Sequence, residues 1–173
     1  MSKYSVVAAP QTEVLADPIA EAMRQWKAHG WAAATSGMAA VTTIARVNRI
    51  LVSRVERALS PLGLTFARFE ILRLLGFARD QQLPMGKIGR RLQVHPASVT
   101  SAVKRLERDK LIERTQAPHD NRVVLARLLP KGEQILDRAT VRINEVFESI
   151  ELDEADLDVV TGVLGAISSD EPG

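Results

Sequence analysis

The chain has 173 residues, 46% of them apolar and 25% charged, and no cysteine. That length supports one core of ordinary size. The missing cysteine excludes disulfides, thiolate metal sites and a cysteine nucleophile. No stretch approaches the roughly 18 apolar residues of a membrane span. Residues 1–10 do not read as a secretory signal, so a cytoplasmic location away from membranes is expected. The net charge of +2 conceals a polarity. Residues 84–127 carry ten Lys/Arg against four Asp/Glu, and residues 133–173 carry two against eleven. A basic middle beside an acidic end points to a localised surface for a polyanion. On charge alone, a solvated face with no partner is an equal reading.

In chain order, residues 1–16 show no period and are expected to be disordered. Asp17 can cap a helix with Pro18 in its first position, followed by Ile19, Ala22, Met23 and Trp26 at helical spacing. Gly30 can end that helix, and Trp31–Gly37 reads as a connector. Residues 38–60 form a long amphipathic helix with Val41, Ile44, Ala45, Leu51, Val55, Ala58 and Leu59 on one stripe; Pro61 and Gly63 stop it. Thr65 can cap the next helix, which carries Phe66, Phe69, Leu72 and Leu75 to about Ala78. Asp80–Pro84 is a polar link.

Residues 85–93 predict a short helix with Met85, Ile88 and Leu92 inward, and Gly89 suggests a close helix crossing. Pro96 opens a helix to about Lys110. Residues 112–116 and 123–128 read as two strands around a turn-rich tip. After Pro130, Ile135, Ala139, Ile143, Val146 and Ile150 form a helical stripe. A last helix follows Asp153, with Leu157, Val160, Leu164 and Ile167.

Two helices joined by about three residues form a helix-turn-helix pattern. On a wheel of residues 97–108, Val99, Ala102, Val103 and Leu106 gather on one side. Thr100, Ser101, Lys104, Arg105 and Arg108 gather on the other, with Ser98 near the start. Short hydroxyls let a helix sit deep in a major groove, and long cations reach bases or phosphates. The alternative is an ordinary surface helix. The hairpin makes the pattern more specific: Arg114 lies on its first strand, and His119, Asp120, Asn121 and Arg122 lie at its tip, where an arginine can enter a minor groove. Helix-turn-helix plus basic hairpin is a winged helix. The expected fold is mainly α with a small β-hairpin wing.

Several runs resemble the MarR-type transcriptional regulators: Gly63–Leu72, Ile88–Val94, Ser98–Arg114, the tip Pro118-His-Asp-Asn-Arg122, and Leu128-Leu-Pro-Lys-Gly132. The resemblance covers about 38–168. It implies an interlocked homodimer in which 38–62 and 130–170 are dimerisation helices and 63–129 is the DNA-binding winged helix. It also implies a palindromic double-stranded operator and, in many members, release of DNA by a small phenolic or anionic effector. Transferred to this chain, the DNA contacts are Ser98, Thr100, Ser101, Lys104, Arg105, Arg108, Arg114, His119, Asn121 and Arg122, with Asp120 stabilising the wing. The usual wing reads Asp-Arg-Arg, and Asn121 removes one cation. Leu129 replaces a capping threonine, and His95 replaces a frequent serine. A urate-responsive branch carries an extra N-terminal helix with a tryptophan and an acid on the second core helix. Trp26 and Glu70 resemble these, although the branch has Asp at the latter position. Trp26, Trp31, Arg46, Arg49, Arg68 and Glu70 are therefore effector candidates. The expected pocket lies between the 38–60, 65–78 and recognition helices. The alternative for residues 17–37 is an extra helix that only packs.

Two other classes compete. An enzyme is disfavoured, because His29, His95 and His119 are scattered and neither a phosphate loop nor a nucleophile elbow is present; no cofactor, metal or catalytic residue is expected. A dimeric interaction module that keeps the scaffold would have lost its cations, yet Lys104, Arg105, Arg108 and Arg122 are present.

Overall fold

The computed structural model describes residues 17–118 and 120–169, without the side chains of Asn121 and Ser169. The segment 1–16 and His119 lie outside these. The chain forms two compact units divided between Leu51 and Val52, within one helix.

In the first unit, α1 spans Pro18–Ala28. The Asp17 carboxylate accepts from the Ile19 amide at 3.0 Å, satisfying one of the orphan donors of the first turn. Gly30 follows at φ +85°, a left-handed turn after the helix end. Trp31–Gly37 is not a connector throughout. A 3-10 turn covers Ala32–Ala34, and α2 begins at Thr35 and runs to Leu59. The buried Thr35 hydroxyl donates to the Trp31 carbonyl at 3.3 Å. Gly37 sits inside the helix, where glycine costs about 1 kcal/mol against alanine without breaking the ladder.

The second unit begins within α2, where Val55 and Leu59 turn into the core. A 3-10 turn at Ser60–Leu62 and left-handed Gly63 reverse the chain. The α3 helix spans Phe66–Gly76. Its N-terminus is closed twice: the Thr65 hydroxyl accepts from Arg68 N, and Glu56 Oε1 of α2 accepts from Phe66 N at 2.8 Å. The expected polar link 80–84 is instead a 3-10 turn, Arg79–Gln81, and a strand, β1, Gln82–Pro84. Leu83 is buried between two less buried neighbours, a three-residue alternation too short to stand out in sequence. Pro84 is tolerated because β1 lies at the sheet edge.

The helices α4 (Met85–Leu92) and α5 (Pro96–Arg108) form the helix-turn-helix. The strands β2 (Ile112–Ala117) and β3 (Asp120–Leu128) follow. The antiparallel sheet has the order β1-β3-β2, so the wing is three-stranded rather than a bare hairpin. The register pairs Leu83 with Ala126 and Thr115 with Leu125. Asn121 and Arg122 belong to β3 rather than to the turn. Then come α6 (Pro130–Glu148) and α7 (Glu154–Ser169).

One core joins the elements of this unit from the end of α2 to α6. Leu72, Leu75, Ile88, Val103, Leu106 and Ala126 are fully buried in it, with Ile112 and Ile143 at 1% exposure. Each large aliphatic side chain so buried contributes about 1.5–3 kcal/mol. Gly132 is demanded by packing: a Cβ there would lie 2.1 Å from the Leu111 carbonyl oxygen. Gly89 is not. A Cβ would meet Val99 at 3.6 Å, an ordinary contact, so the close crossing expected there does not require glycine. The α6 stripe follows expectation at Ala139 and Ile143 in the core and at Ile135 and Val146 packed against it, and Leu136 joins them. By contrast, α7 leaves Leu157, Val159, Val160, Val163, Leu164 and Ile167 exposed. Among the described residues no helix is long and apolar enough to cross a membrane.

Candidate nucleic-acid interface

The recognition helix α5 is held by its apolar side. Val99 (3% exposed), Val103 and Leu106 face the core, which turns Ser98, Thr100, Ser101, Lys104, Arg105 and Arg108 outward. His95, where a serine was the usual cap, still caps: the Ala97 amide donates to its Nδ1 at 3.2 Å. Leu129 makes no side-chain cap for α6, as expected from its chemistry, and its amide instead donates to the Leu111 carbonyl at 3.0 Å.

The outward cations are not equivalent. The side chains of Lys104 and Arg105 have no hydrogen-bond or ion-pair partner among the described residues. Arg108 lies 3.3 Å from Asp109. Arg114 is held by Glu107, its Nε donating at 2.8 Å. Thr100 donates its hydroxyl back to the Pro96 carbonyl at 3.0 Å, so its donor is already used. On the wing, the Asp120 carboxylate accepts from the Arg122 amide at 3.0 Å, which fixes the start of β3. The Arg122 side chain is 93% exposed and projects with only a 3.4 Å contact to Asp120.

Behind the reading face sits a clamp. Arg68 of α3 is 8% exposed. Its guanidinium donates to the Gly63 carbonyl at 2.7 Å and pairs with Asp109 at the end of α5. Burial alone would raise the Asp109 pKa. Hydrogen bonds from Arg108 and Arg68, and their charges, outweigh burial and hold the carboxyl below its usual range. Lys131 Nζ donates to the Asp109 carbonyl at 2.9 Å, tying α6 to the same corner.

The effector candidates divide between the two units: Trp26, Trp31, Arg46 and Arg49 lie in the first, Arg68 and Glu70 in the second. Trp26 and Trp31 meet edge to face at 5.2 Å, and His29 stacks on Trp31 at 5.5 Å. Arg46 and Arg49 are exposed on α2. Glu70 is half-buried on α3, and burial pushes its carboxyl above the ordinary value. A groove of about 290 Å³ lies between α2 and α6, lined by Arg54, Arg57, Arg142 and Glu145. A second, of about 450 Å³, lies between α3 and α5. Of the six candidates only Arg68 lines either groove, and its terminal nitrogens are already engaged. Sequence reading passed over Lys87, Arg90 and Arg91, exposed on α4; their density in the basic segment was the available signal.

A helix-turn-helix backed by a three-stranded wing defines a winged-helix DNA-binding protein. A model described as MarR family matches residues 62–122. Sco5413, a MarR family transcriptional regulator from Streptomyces coelicolor, is 37% identical, with 78% of this chain and 94% of that one covered and a TM-score of 0.70. MhqR, an HTH-type transcriptional regulator of Bacillus subtilis, is 29% identical over 113 residues, 64% of this chain and 72% of its own. Sco3205, a MarR family regulator from Streptomyces coelicolor in complex with DNA, shares the fold at 19% identity and a TM-score of 0.72, over 78% of this chain and 87% of its own. The chain belongs to the MarR family: it is a DNA-binding transcriptional regulator.

Proposed function

We propose that the protein is a cytoplasmic repressor that binds a palindromic operator as a homodimer and releases it when a small anionic or aromatic effector binds. The observation that carries the DNA reading is the pairing of a buried apolar side of α5 with an outward side of hydroxyls and unpaired cations, beside a projecting Arg122. In this reading Ser98, Thr100, Ser101 and Arg105 face bases in the major groove. Lys104, Arg108 and Arg114 approach phosphates, with Arg114 leaving Glu107 to do so. Arg122 enters the minor groove, held by Asp120. His119 and Asn121 are assigned to the wing contact from the resemblance alone.

Residues 63–129 are the DNA-binding part, and 38–62 with 130–170 the dimerisation part. The exposed apolar side of α7, together with Val41, Ile44, Val47 and Ile50 of α2, supports a second copy as the cover. The segment 17–37, with Trp26 and Trp31, and Arg46, Arg49, Arg68 and Glu70 remain the proposed effector surroundings.

Gel shifts on genomic fragments test the reading. Saturable binding below micromolar protein is expected, steeply salt-dependent, with half-sites about 10 bp apart. Binding without sequence preference at any salt concentration would leave only an interaction module. Urate and salicylate titrations, read by tryptophan fluorescence with Trp26→Phe and Trp31→Phe controls, test the effector. Release of DNA with neither tryptophan responding would move the pocket elsewhere.

A further inference from the structure

The groove between α2 and α6 gathers more cations than carboxylates. Arg54 and Arg57 of α2 and Arg142 of α6 line it, with Glu145 as the one carboxylate of its lining. All four residues are exposed, and their side chains have no hydrogen-bond or ion-pair partner among the described residues. Three like charges around one groove repel one another. The rest of the lining is Ala58, Val146 and Ser149, with no aromatic ring on which a planar ligand could stack. The opposite charge lies close by in sequence. Residues 151–158 carry five carboxylates and no Lys or Arg. This run begins two positions after Ser149, yet none of it lines the groove and none of its carboxylates pairs with the three arginines. It leads into α7, where Asp156, Val160, Val163 and Ile167 recur at spacings of four, three and four. They form one stripe of that helix, all exposed.

We propose that this groove receives the acidic run 151–158 of a second copy of the chain, and that this charged contact sets the register in which the copies fit together. The inference rests on the dimer reading above. Charge complementarity and continuity carry it. The groove holds an excess of cations on α2 and α6, and the run holds only carboxylates on the approach to the exposed side of α7. Asp156 stands in line with that apolar side, so an α7 laid on a second copy brings a carboxylate with it. In a twofold dimer each chain supplies one groove and one run, so both sets of charges are satisfied together. The apolar side of α7 supplies the buried area. The charges supply the register, because a slipped pairing leaves the arginines against one another or against apolar side chains.

The test is a charge swap between chains. One variant reverses the groove, Arg54→Glu with Arg142→Glu. Arg57 is kept because it lies in the last turn of α2, where a cation favours the helix. The other variant reverses the run, Glu151→Lys with Asp156→Lys. Asp153 is kept because its carboxylate accepts from the Asp156 amide and caps α7. All four substituted positions are exposed, so the circular dichroism of each variant should match the wild type. Each variant alone sets like charges against like, and its homodimer should dissociate about tenfold more readily, the difference shrinking as salt is raised. Mixed with different tags, the two variants should form heterodimers about tenfold or more above the random distribution, read by native mass spectrometry, because only the heterodimer matches both grooves. Any cost of Asp156→Lys to the start of α7 enters the heterodimer once and one homodimer twice, so it cancels from that comparison. A random distribution overturns the contact; it is also the result if the run folds back onto its own groove, since each chain then carries its mismatch into every dimer. A groove variant that dimerises like the wild type but loses stabilisation by inorganic phosphate or urate overturns it too, and would mark a small-anion site. If the wild type is a dimer and the mixture is random, only this contact fails. If the wild type is a monomer, the dimer reading fails and takes the contact with it.

Discussion

The helices α5 and α7 are both amphipathic in pattern, and they meet opposite fates. In α5 the apolar side is satisfied: Val99, Val103 and Leu106 are 0–3% exposed, and what remains outside is hydroxyl and cation. In α7 the apolar side is what remains outside, with Val159 at 64% and Ile167 at 58% exposure. A helix that closes its core within the chain offers water a polar surface, and excess charge on it calls for a polyanion. A helix that leaves its core open calls for another apolar surface. The first difference points to DNA, the second to a second copy.

The largest expected effect attacks the closed side. Gly132→Val forces a side chain into the Leu111 carbonyl and should destabilise the fold by about 3 kcal/mol, read as a denaturation midpoint. A tolerated valine would show that α6 and the wing are not packed as closely as described. Next comes the open side. Val160→Asp with Leu164→Asp should weaken the dimer at least 100-fold, about 2.7 kcal/mol. It should also remove the concentration dependence of the melting temperature. Sedimentation that finds the wild type a stable folded monomer at micromolar concentration would end the argument from α7.

On the polar side, Arg105→Ala should cost about 2 kcal/mol at the preferred half-site and change preference among bases. Arg122→Ala should cost about as much, and most at A·T-rich flanks. Equal losses on all sequences from both would mean that reader and anchor are misassigned. The smallest effect concerns the clamp. Asp109→Asn breaks the pair with buried Arg68 and should cost about 1 kcal/mol at neutral pH, since Asp109 is partly solvated. The folded carboxyl titrates below its unfolded value. Its contribution is therefore complete above the unfolded pKa, about 3.9, and is lost as pH falls through the lower folded one. Wild type and Asp109→Asn should converge in stability as the solution is acidified. A gap that stays constant across that range would remove the ion pair from the clamp.

Much of this was legible in residue order. The α5 wheel, the Thr65 and Asp17 caps, the Pro61–Gly63 stop and the two wing strands are local, set by side chains within one or two turns of each other, so spacing reveals them. Even the surplus of apolar stripes could be counted. What order alone did not determine is which stripe would be shared. Ile143 and Val160 look alike in sequence; the first is buried in the core that α6 shares with α3, and the second is left exposed. Nor could spacing find β1, because a three-residue strand acquires meaning only from the β3 edge it joins. The Arg68–Asp109 clamp and the α3–α5 groove unite residues some 40 positions apart, and Gly132 is required only because Leu111 returns beneath it. Local propensities and periodicity chose the elements. Burial and close packing between distant segments, which no short window contains, decided which charges were neutralised and which were left to meet a partner.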